Sequence, residues 1–188
     1  MPKRNRRTPW KPNQVEIAAA SNKTIPDVIA PGLRILFCGI NPSLYSAAIG
    51  HHFGRPGNRF WRALYLAGLT ERLLSPFEDR ELLKRGYGIT NLVDRATASA
   101  DEMRATELNT GANVLERKVR RYKPSCVAFV GITAYRTAFG RKDTSIGPQA
   151  ETLETARIWV LPNPSGLNAH YQLTYLVKLY RELHSAIG

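Results

Sequence analysis

Four short runs of apolar residues constrain the fold of this chain more than any other feature of its sequence. They lie at residues 34–40, 88–93, 126–130 and 157–161. None of them alternates regularly between apolar and polar residues, which is typical of strands that are covered on both faces. We therefore predict four buried β-strands.

Patterns typical of amphipathic helices separate and follow these strands. Apolar or aromatic residues recur at helical spacing from Leu108 to Tyr122, which predicts a helix that ends near Lys123. Shorter helices are predicted near residues 58–66, 132–139 and 173–183. Strands that alternate with helices predict a three-layer α/β/α fold with a mainly parallel sheet.

The charge balance favours a polyanionic partner. The 27 Lys and Arg residues outnumber the 15 Asp and Glu residues, so the formal net charge is +12. Such an excess is typical of proteins that bind nucleic acids or anionic membrane surfaces. Residues 1–13 are basic, rich in proline and free of acidic residues. We expect residues 1–30 to form a basic, flexible arm that either lies along phosphates or only keeps the protein soluble, and residues 31–188 to form one domain.

The sequence also excludes several classes of protein. Cys38 and Cys126 are the only cysteines, which is too few for a four-cysteine zinc site or iron–sulfur cluster. Nothing indicates a disulfide scaffold, which favours a reducing compartment such as the cytoplasm with its nucleoid, or the nucleus in a eukaryote. No apolar run approaches the roughly 18 residues of a membrane span. The basic N-terminus lacks the apolar core of a signal peptide. We therefore expect no metal and no membrane partner.

Two loops with unusual sequences follow the first and the last predicted strand. Ligands of parallel sheets bind beyond the carboxyl ends of the strands. In the first loop, Asn41 precedes Pro42, and its amide can hold a water molecule or a base edge but is too weak a base to ionise water. Alternatively, Asn41 only caps the turn. In the second loop, Leu167 lies on a stiff segment and either wedges into a base stack or packs onto the core at the start of a helix.

Four segments carry short motifs in a compatible order. They are GINPSL at residues 39–44, GHHFGRPGNRFW at 50–61, GYGITNLVDR at 86–95 and NPSGL at 163–167. Together they resemble the motifs of the mismatch-specific uracil-DNA glycosylase / thymine-DNA glycosylase family. The resemblance extends from about residue 34 to the C-terminus and leaves out residues 1–30.

This resemblance implies the uracil-DNA glycosylase fold, with a central parallel sheet of four strands flanked by helices. It implies base flipping in duplex DNA, attack by water on the N-glycosidic bond of uracil or a related pyrimidine opposite guanine, and the start of base excision repair. The motifs place no lysine for a Schiff base, so we expect a monofunctional enzyme. We expect it to need no metal or organic cofactor and to act as a monomer on double-stranded DNA.

The resemblance also implies roles for individual residues. It implies that Asn41 positions the attacking water, that Phe53 stacks on the flipped base and that the backbone around Ile40 reads the base edge. The insertion loop would be formed by Gly166 and Leu167. Two further residues of that loop would lie near the sugar and its phosphates, Asn163 and Ser165.

Two serines in the first loop bear on specificity. Ser43 stands where the family usually has glycine, so its side chain adds bulk beside Asn41. Ser46 lies where the family tunes acceptance of the thymine methyl group, and a hydroxyl there suits uracil better than thymine. We include both serines among the candidate substrate-binding residues.

Two titratable residues have alternative interpretations. Asp94 follows the second predicted strand, so its carboxylate either assists catalysis beside Asn41 or forms a salt bridge or helix cap. His51 either stabilises the leaving base or contacts phosphate, or it forms a local hydrogen bond. The basic run at residues 117–123 is a DNA-binding surface only if it faces the same side as the two loops.

Two other functions remain open at this point. The same loops would serve a non-catalytic DNA-binding protein that senses damage or mismatches. An α/β enzyme that acts on free nucleosides is the other alternative, but the +12 charge counts against it because a free nucleoside needs no long cationic surface.

Overall fold

The central sheet has five strands in the computed structural model, which describes residues 10–188. The strands are β1 (Ile35–Gly39), β2 (Tyr87–Asn91), β3 (Cys126–Val130), β4 (Gly147–Leu153) and β5 (Ala156–Leu161). Their order is β2-β1-β3-β5-β4, and all neighbours are parallel except β4, which runs antiparallel to β5. The predicted α/β class and the four predicted strands are confirmed.

The fifth strand, β4, is a correction to the expected four-stranded sheet. Its sequence GPQAETL contains little apolar surface, and its residues alternate between buried and exposed positions. This pattern is typical of an edge strand with one face in water. A tight connection with Glu154 at φ 54° joins it to β5.

Six α-helices form within residues 10–188. They are α1 (Gln14–Ala18), α2 (Leu44–Ile49), α3 (Phe60–Leu66), α4 (Ala105–Tyr122), α5 (Ile132–Phe139) and α6 (Leu173–Ile187). Two segments are 3₁₀-helical, Pro76–Arg85 and Ala100–Glu102. The predicted long helix ends as expected, because Lys123 takes a left-handed conformation before a proline.

The helices cover both faces of the sheet. On one face, Phe37 packs with apolar residues of α3 and α6. On the other face, Leu36 packs with apolar residues of α4 and α5. Neighbouring residues of β1 therefore bury their side chains in opposite layers, which explains why the strand sequences are apolar without alternation.

Part of the chain before residue 31 packs against the domain, which corrects the boundary expected at residue 30. Ile25 and Val28 are buried, and the main chain of Val28 pairs with that of Ile89 at 2.8 and 2.9 Å. The sequence gives no sign of this packing, because two isolated apolar residues follow a basic, proline-rich stretch. The most basic part of the expected arm, residues 1–9, lies outside the described residues.

No helix within the described part of the chain is long and apolar enough to cross a membrane.

Candidate active site

A cavity of about 460 Å³ opens at the carboxyl ends of the parallel strands. Residues from the loops after β1, β2 and β5 line it, together with Ile25 from the N-terminal segment. This is the edge at which parallel sheets bind their ligands. Most of the predicted site residues lie here, namely Ile40, Asn41, Ser43, Ser46, Phe53, Asn163, Ser165 and Leu167.

The amide of Asn41 is held in one orientation. Its Nδ2 donates to the carbonyl oxygen of Arg95 at 3.1 Å and to Oγ1 of Thr97 at 2.7 Å. The Thr97 hydroxyl in turn donates to the carbonyl oxygen of Ser99 at 2.7 Å. Both hydrogens of the Asn41 amide are thereby used, so Oδ1 is the atom that can accept a hydrogen bond from a water molecule.

Thr97 is a site residue that sequence reasoning missed. The third motif ends at Arg95, two residues earlier, and a threonine in a loop gives no signal of its own. Its contact with Asn41 joins residues 56 positions apart, and so it becomes visible only in the folded chain.

Ser43 fits the first loop although the family usually has glycine at this position. Its φ of −69° is ordinary for any residue, and it caps α2 by accepting a hydrogen bond from the backbone of Ser46. The Ser46 hydroxyl accepts from Ser43 Oγ and from the backbone N–H of Gly54, both at 3.0 Å. The two serines therefore shape the turn that precedes and carries Phe53.

Phe53 forms a flat wall of the cavity. It adopts a left-handed conformation with φ 51°, and one face of its ring stacks on the fully buried Phe60 with 4.0 Å between centroids. Phe53 is only half-buried and lines the cavity, so the part of its ring that Phe60 does not cover can stack on a planar ligand.

His52 and Asn91 form a buried polar pair in the cavity wall. His52 Nε2 lies 3.0 Å from the carbonyl oxygen of Pro26. Since a carbonyl can only accept, Nε2 carries the proton and Nδ1 accepts from Nδ2 of Asn91 at 3.3 Å. Burial lowers the pKa of His52 from its ordinary value of 6.5, which favours this neutral form. The sequence offered His52 only as an alternative to His51 or as a lining residue, and it indicated no role for Asn91.

The burial of His52 predicts that the protein loses stability in mild acid. The unfolded chain takes up a proton on this side chain near pH 6.5, whereas the folded protein takes it up only at lower pH. The free energy of unfolding is therefore expected to fall as the pH drops below 6.5, by up to about 1.4 kcal/mol per pH unit. Urea unfolding at pH 7.5 and 5.5, for the wild type and His52→Gln, measures this loss.

A matched control for this measurement is His170→Gln, because His170 is exposed. It should retain the pH dependence of the wild type, while His52→Gln should lose most of it. Equal pH dependence in the wild type and His52→Gln would contradict the prediction.

Asp94 and His51 do not line the cavity, which corrects two candidate roles. The Asp94 side chain is 54% exposed and lies 3.8 Å from Nζ of Lys118, so the salt-bridge alternative describes it. His51 Nδ1 lies 2.9 Å from Asp79 Oδ2, and the ring contacts Phe77. We assign neither residue a part in catalysis.

The second predicted loop places an apolar side chain at the rim of the cavity. Leu167 is 74% exposed, so the alternative that it packs onto the core is wrong. The turn beneath it is shaped by Asn163, whose Oδ1 accepts from the backbone N–H of Ser165 at 3.0 Å. Gly166 does not line the cavity and lies against the carbonyl oxygen of Gly57.

The basic run at residues 117–123 lies away from the cavity. It forms the C-terminal end of α4, which leads into the start of β3, whereas the cavity lies where β3 ends. Within the run, Arg120 pairs with Glu154 at 2.7 Å and Lys118 with Asp27 at 2.7 Å. This run is therefore not a DNA-binding surface beside the two loops.

No group of three or more His, Cys, Asp or Glu side chains that could hold a metal ion occurs in residues 10–188.

Comparison with known proteins gives two findings. The model of the uracil DNA glycosylase superfamily matches residues 26–184, a stretch that includes the cavity-lining loops. Among solved structures, the chain is similar to a candidate uracil DNA glycosylase from Methanosarcina acetivorans, determined by NMR in solution. The two chains are 20% identical, with a TM-score of 0.58 over 87% of this chain and 98% of that chain, which shows a shared fold.

Proposed function

Because the chain belongs to the uracil DNA glycosylase superfamily and is a DNA glycosylase, we propose that it is a monofunctional enzyme that releases uracil mispaired with guanine from duplex DNA. The observation that carries this proposal is the fixed amide of Asn41, whose two hydrogens bind Arg95 O and Thr97 Oγ1. Its Oδ1 then accepts a hydrogen bond from the attacking water and directs the water oxygen toward the sugar. The product starts base excision repair.

The reaction begins when the nucleotide leaves the helix, since a base inside the stack cannot be reached. Extrusion costs a few kcal/mol, and a mismatched base pair lowers that cost. The exposed Leu167 fills the space left in the stack, and the free face of Phe53 stacks on the extruded uracil. This cost difference supports a preference for uracil opposite guanine over uracil opposite adenine.

The N-glycosidic bond breaks before the water attacks. The bond between C1′ and N1 breaks, its electron pair leaves with the uracil, and the sugar gains oxocarbenium character. The water oxygen then bonds to C1′ and releases a proton. A neutral amide suits this order of events, because it orients water without needing to ionise it. The amide of Asn91 and the backbone near Ile40 line the cavity and bind the polar edge of the base in this proposal.

Cleavage of the DNA strand would require an amine that forms a Schiff base with the sugar. The described residues that line the cavity include Arg55 but no lysine. This lining supports a monofunctional enzyme that leaves an intact strand with an abasic site.

The test is base release from end-labelled oligonucleotides with one U·G, U·A or T·G pair, and from single-stranded uracil DNA. We expect strand breaks only after alkali treatment, with U·G cleaved fastest. Breaks before alkali would contradict the monofunctional mechanism, and equal rates on U·A and U·G would contradict the mismatch preference. Tight binding to U·G DNA without breaks on any substrate would instead favour a non-catalytic mismatch sensor.

A further inference from the structure

Arg59 makes an unusual set of contacts for a residue in a DNA-binding protein. Its Nε donates to the carbonyl oxygen of Pro164 at 3.2 Å, and its Nη2 donates to that of Asn168 at 2.9 Å. The guanidinium also binds the carbonyl oxygens of Ser165 and Tyr171. Its backbone N–H adds a further bond to Pro164 at 3.0 Å. One side chain thus binds four main-chain carbonyls around the Leu167 loop, residues 163–168.

The guanidinium of Arg59 spends its hydrogen-bond donors on the protein's own main chain. A guanidinium has five N–H donors in a fixed planar arrangement, and four carbonyls occupy most of them. The charge is therefore used to hold main chain together rather than to bind phosphate.

A close approach of two glycines holds the same loop from a second side. A Cβ atom on Gly166 would lie only 2.6 Å from the carbonyl oxygen of Gly57. The turn that contains Gly57 is closed by a hydrogen bond from Asn58 N to Arg55 O at 3.0 Å. The Leu167 loop is therefore seated between this turn and the Arg59 side chain.

The exposed leucine depends on this support. At 74% exposure, Leu167 has little packing of its own, so its position is set by the main chain that carries it. A side chain that enters a base stack must hold its place while the neighbouring bases are pushed apart. A loop that is rigid before binding avoids the ordering cost at that step.

The position of Arg59 in the chain also links the Leu167 loop to the aromatic wall that Phe53 forms. It directly precedes Phe60, the first residue of α3, whose ring stacks beneath Phe53. Two consecutive residues thus support the aromatic wall and the Leu167 loop.

From these contacts we infer that Arg59 is a positioning residue, which acts through Leu167 to hold the extruded state of duplex substrates. This inference rests on the proposed base-flipping function. It predicts that Arg59→Met lowers the single-turnover rate of uracil release from U·G duplex by about tenfold to a hundredfold, as expected for misplacement of a positioned group. Arg59→Lys should recover only part of this rate, since an ammonium cannot bridge four carbonyls.

A double-mutant cycle with Leu167→Ala separates this role from a general structural one. If Arg59 acts through Leu167, then Arg59→Met should slow uracil release by less than about twofold in a chain that already carries Leu167→Ala. Losses that simply multiply in the double variant would overturn the inference. The matched control is Arg62→Met, an exposed arginine on α3, which should retain the wild-type rate.

A second variant tests the support of the Leu167 loop independently, in case Arg59→Met fails to fold. Gly166→Ala places a methyl group against the carbonyl of Gly57. It should also slow uracil release in a chain that carries Leu167, but not in one that already carries Leu167→Ala. A wild-type chain without base release on any substrate would refute the proposed function itself. A wild type active on U·G duplex, together with fully active Arg59→Met, would refute only the role of Arg59.

Discussion

Replacing Asn41 by alanine is expected to lower the single-turnover rate of uracil release from U·G duplex by at least about a hundredfold, because the attacking water loses its orienting acceptor. The affinity for the same duplex should change little, since the amide faces a cavity and both its hydrogens bind the protein. Base release is measured with enzyme in excess, and binding is measured by fluorescence anisotropy.

Variants of Thr97 provide the matched controls for this prediction. Thr97→Ser retains the hydroxyl that accepts from Asn41 Nδ2 and should keep most of the activity. Thr97→Val removes that acceptor but leaves the bond to Arg95 O, so its rate should fall between those of the wild type and Asn41→Ala. An Asn41→Ala variant that releases uracil at the wild-type rate would refute the assigned role of the amide.

Gly39→Ala is expected to lower the rate of uracil release almost as much as Asn41→Ala does, because it distorts the part of the cavity that holds the base. A Cβ atom at Gly39 would lie 2.4 Å from Oδ1 of Asn91 and 3.4 Å from Cζ of Phe53. Asn91 cannot yield freely, because His52 binds its amide and Pro26 fixes His52. We expect the rate of uracil release to fall by about a hundredfold, with weaker inhibition by free uracil as a second measure of the damaged pocket.

Gly88→Ala controls for the effect of a methyl group in the same sheet. Its Cβ would meet Leu33 Cδ1 at 2.5 Å and the carbonyl oxygen of Val28 at 2.6 Å, neither of which lines the cavity. This variant should lose about 1–3 kcal/mol of unfolding free energy through overpacking, but it should keep its rate while folded. Equal rate losses in both variants would show that Gly39→Ala acts through stability alone.

The regular elements follow from the sequence wherever burial is complete. Strands such as Cys126–Val130 carry continuous apolar residues, and α4 carries a long periodic stripe. The edge strand β4 was missed because its seven residues hold few apolar side chains and gain their place by pairing with β5. The six-residue helix α2 is too short for periodicity to reveal.

The sequence predicts which loops form the site better than it predicts which side chains point into it. Motif positions anticipated the cavity-lining loops, but the direction of a side chain beyond a strand end depends on how the loop turns. For this reason the sequence leaves open whether Asp94 and His51 act in the site, and in the folded chain each pairs elsewhere. The contacts that orient Asn41 and the Leu167 loop join residues far apart in sequence, 56 positions for Thr97 and 112 from Arg59 to Tyr171.

The seating of residues 25–28 on the sheet bears on how far the enzyme can be shortened. A fragment that begins at residue 31 would keep Asn41, Phe53 and Leu167 unchanged. It would nevertheless lose Ile25 from the cavity wall and the Pro26 oxygen that selects one tautomer of His52. We therefore expect a cut within residues 25–28 to lower the rate of uracil release although it leaves all four motifs intact, and we expect an active fragment to begin before Ile25.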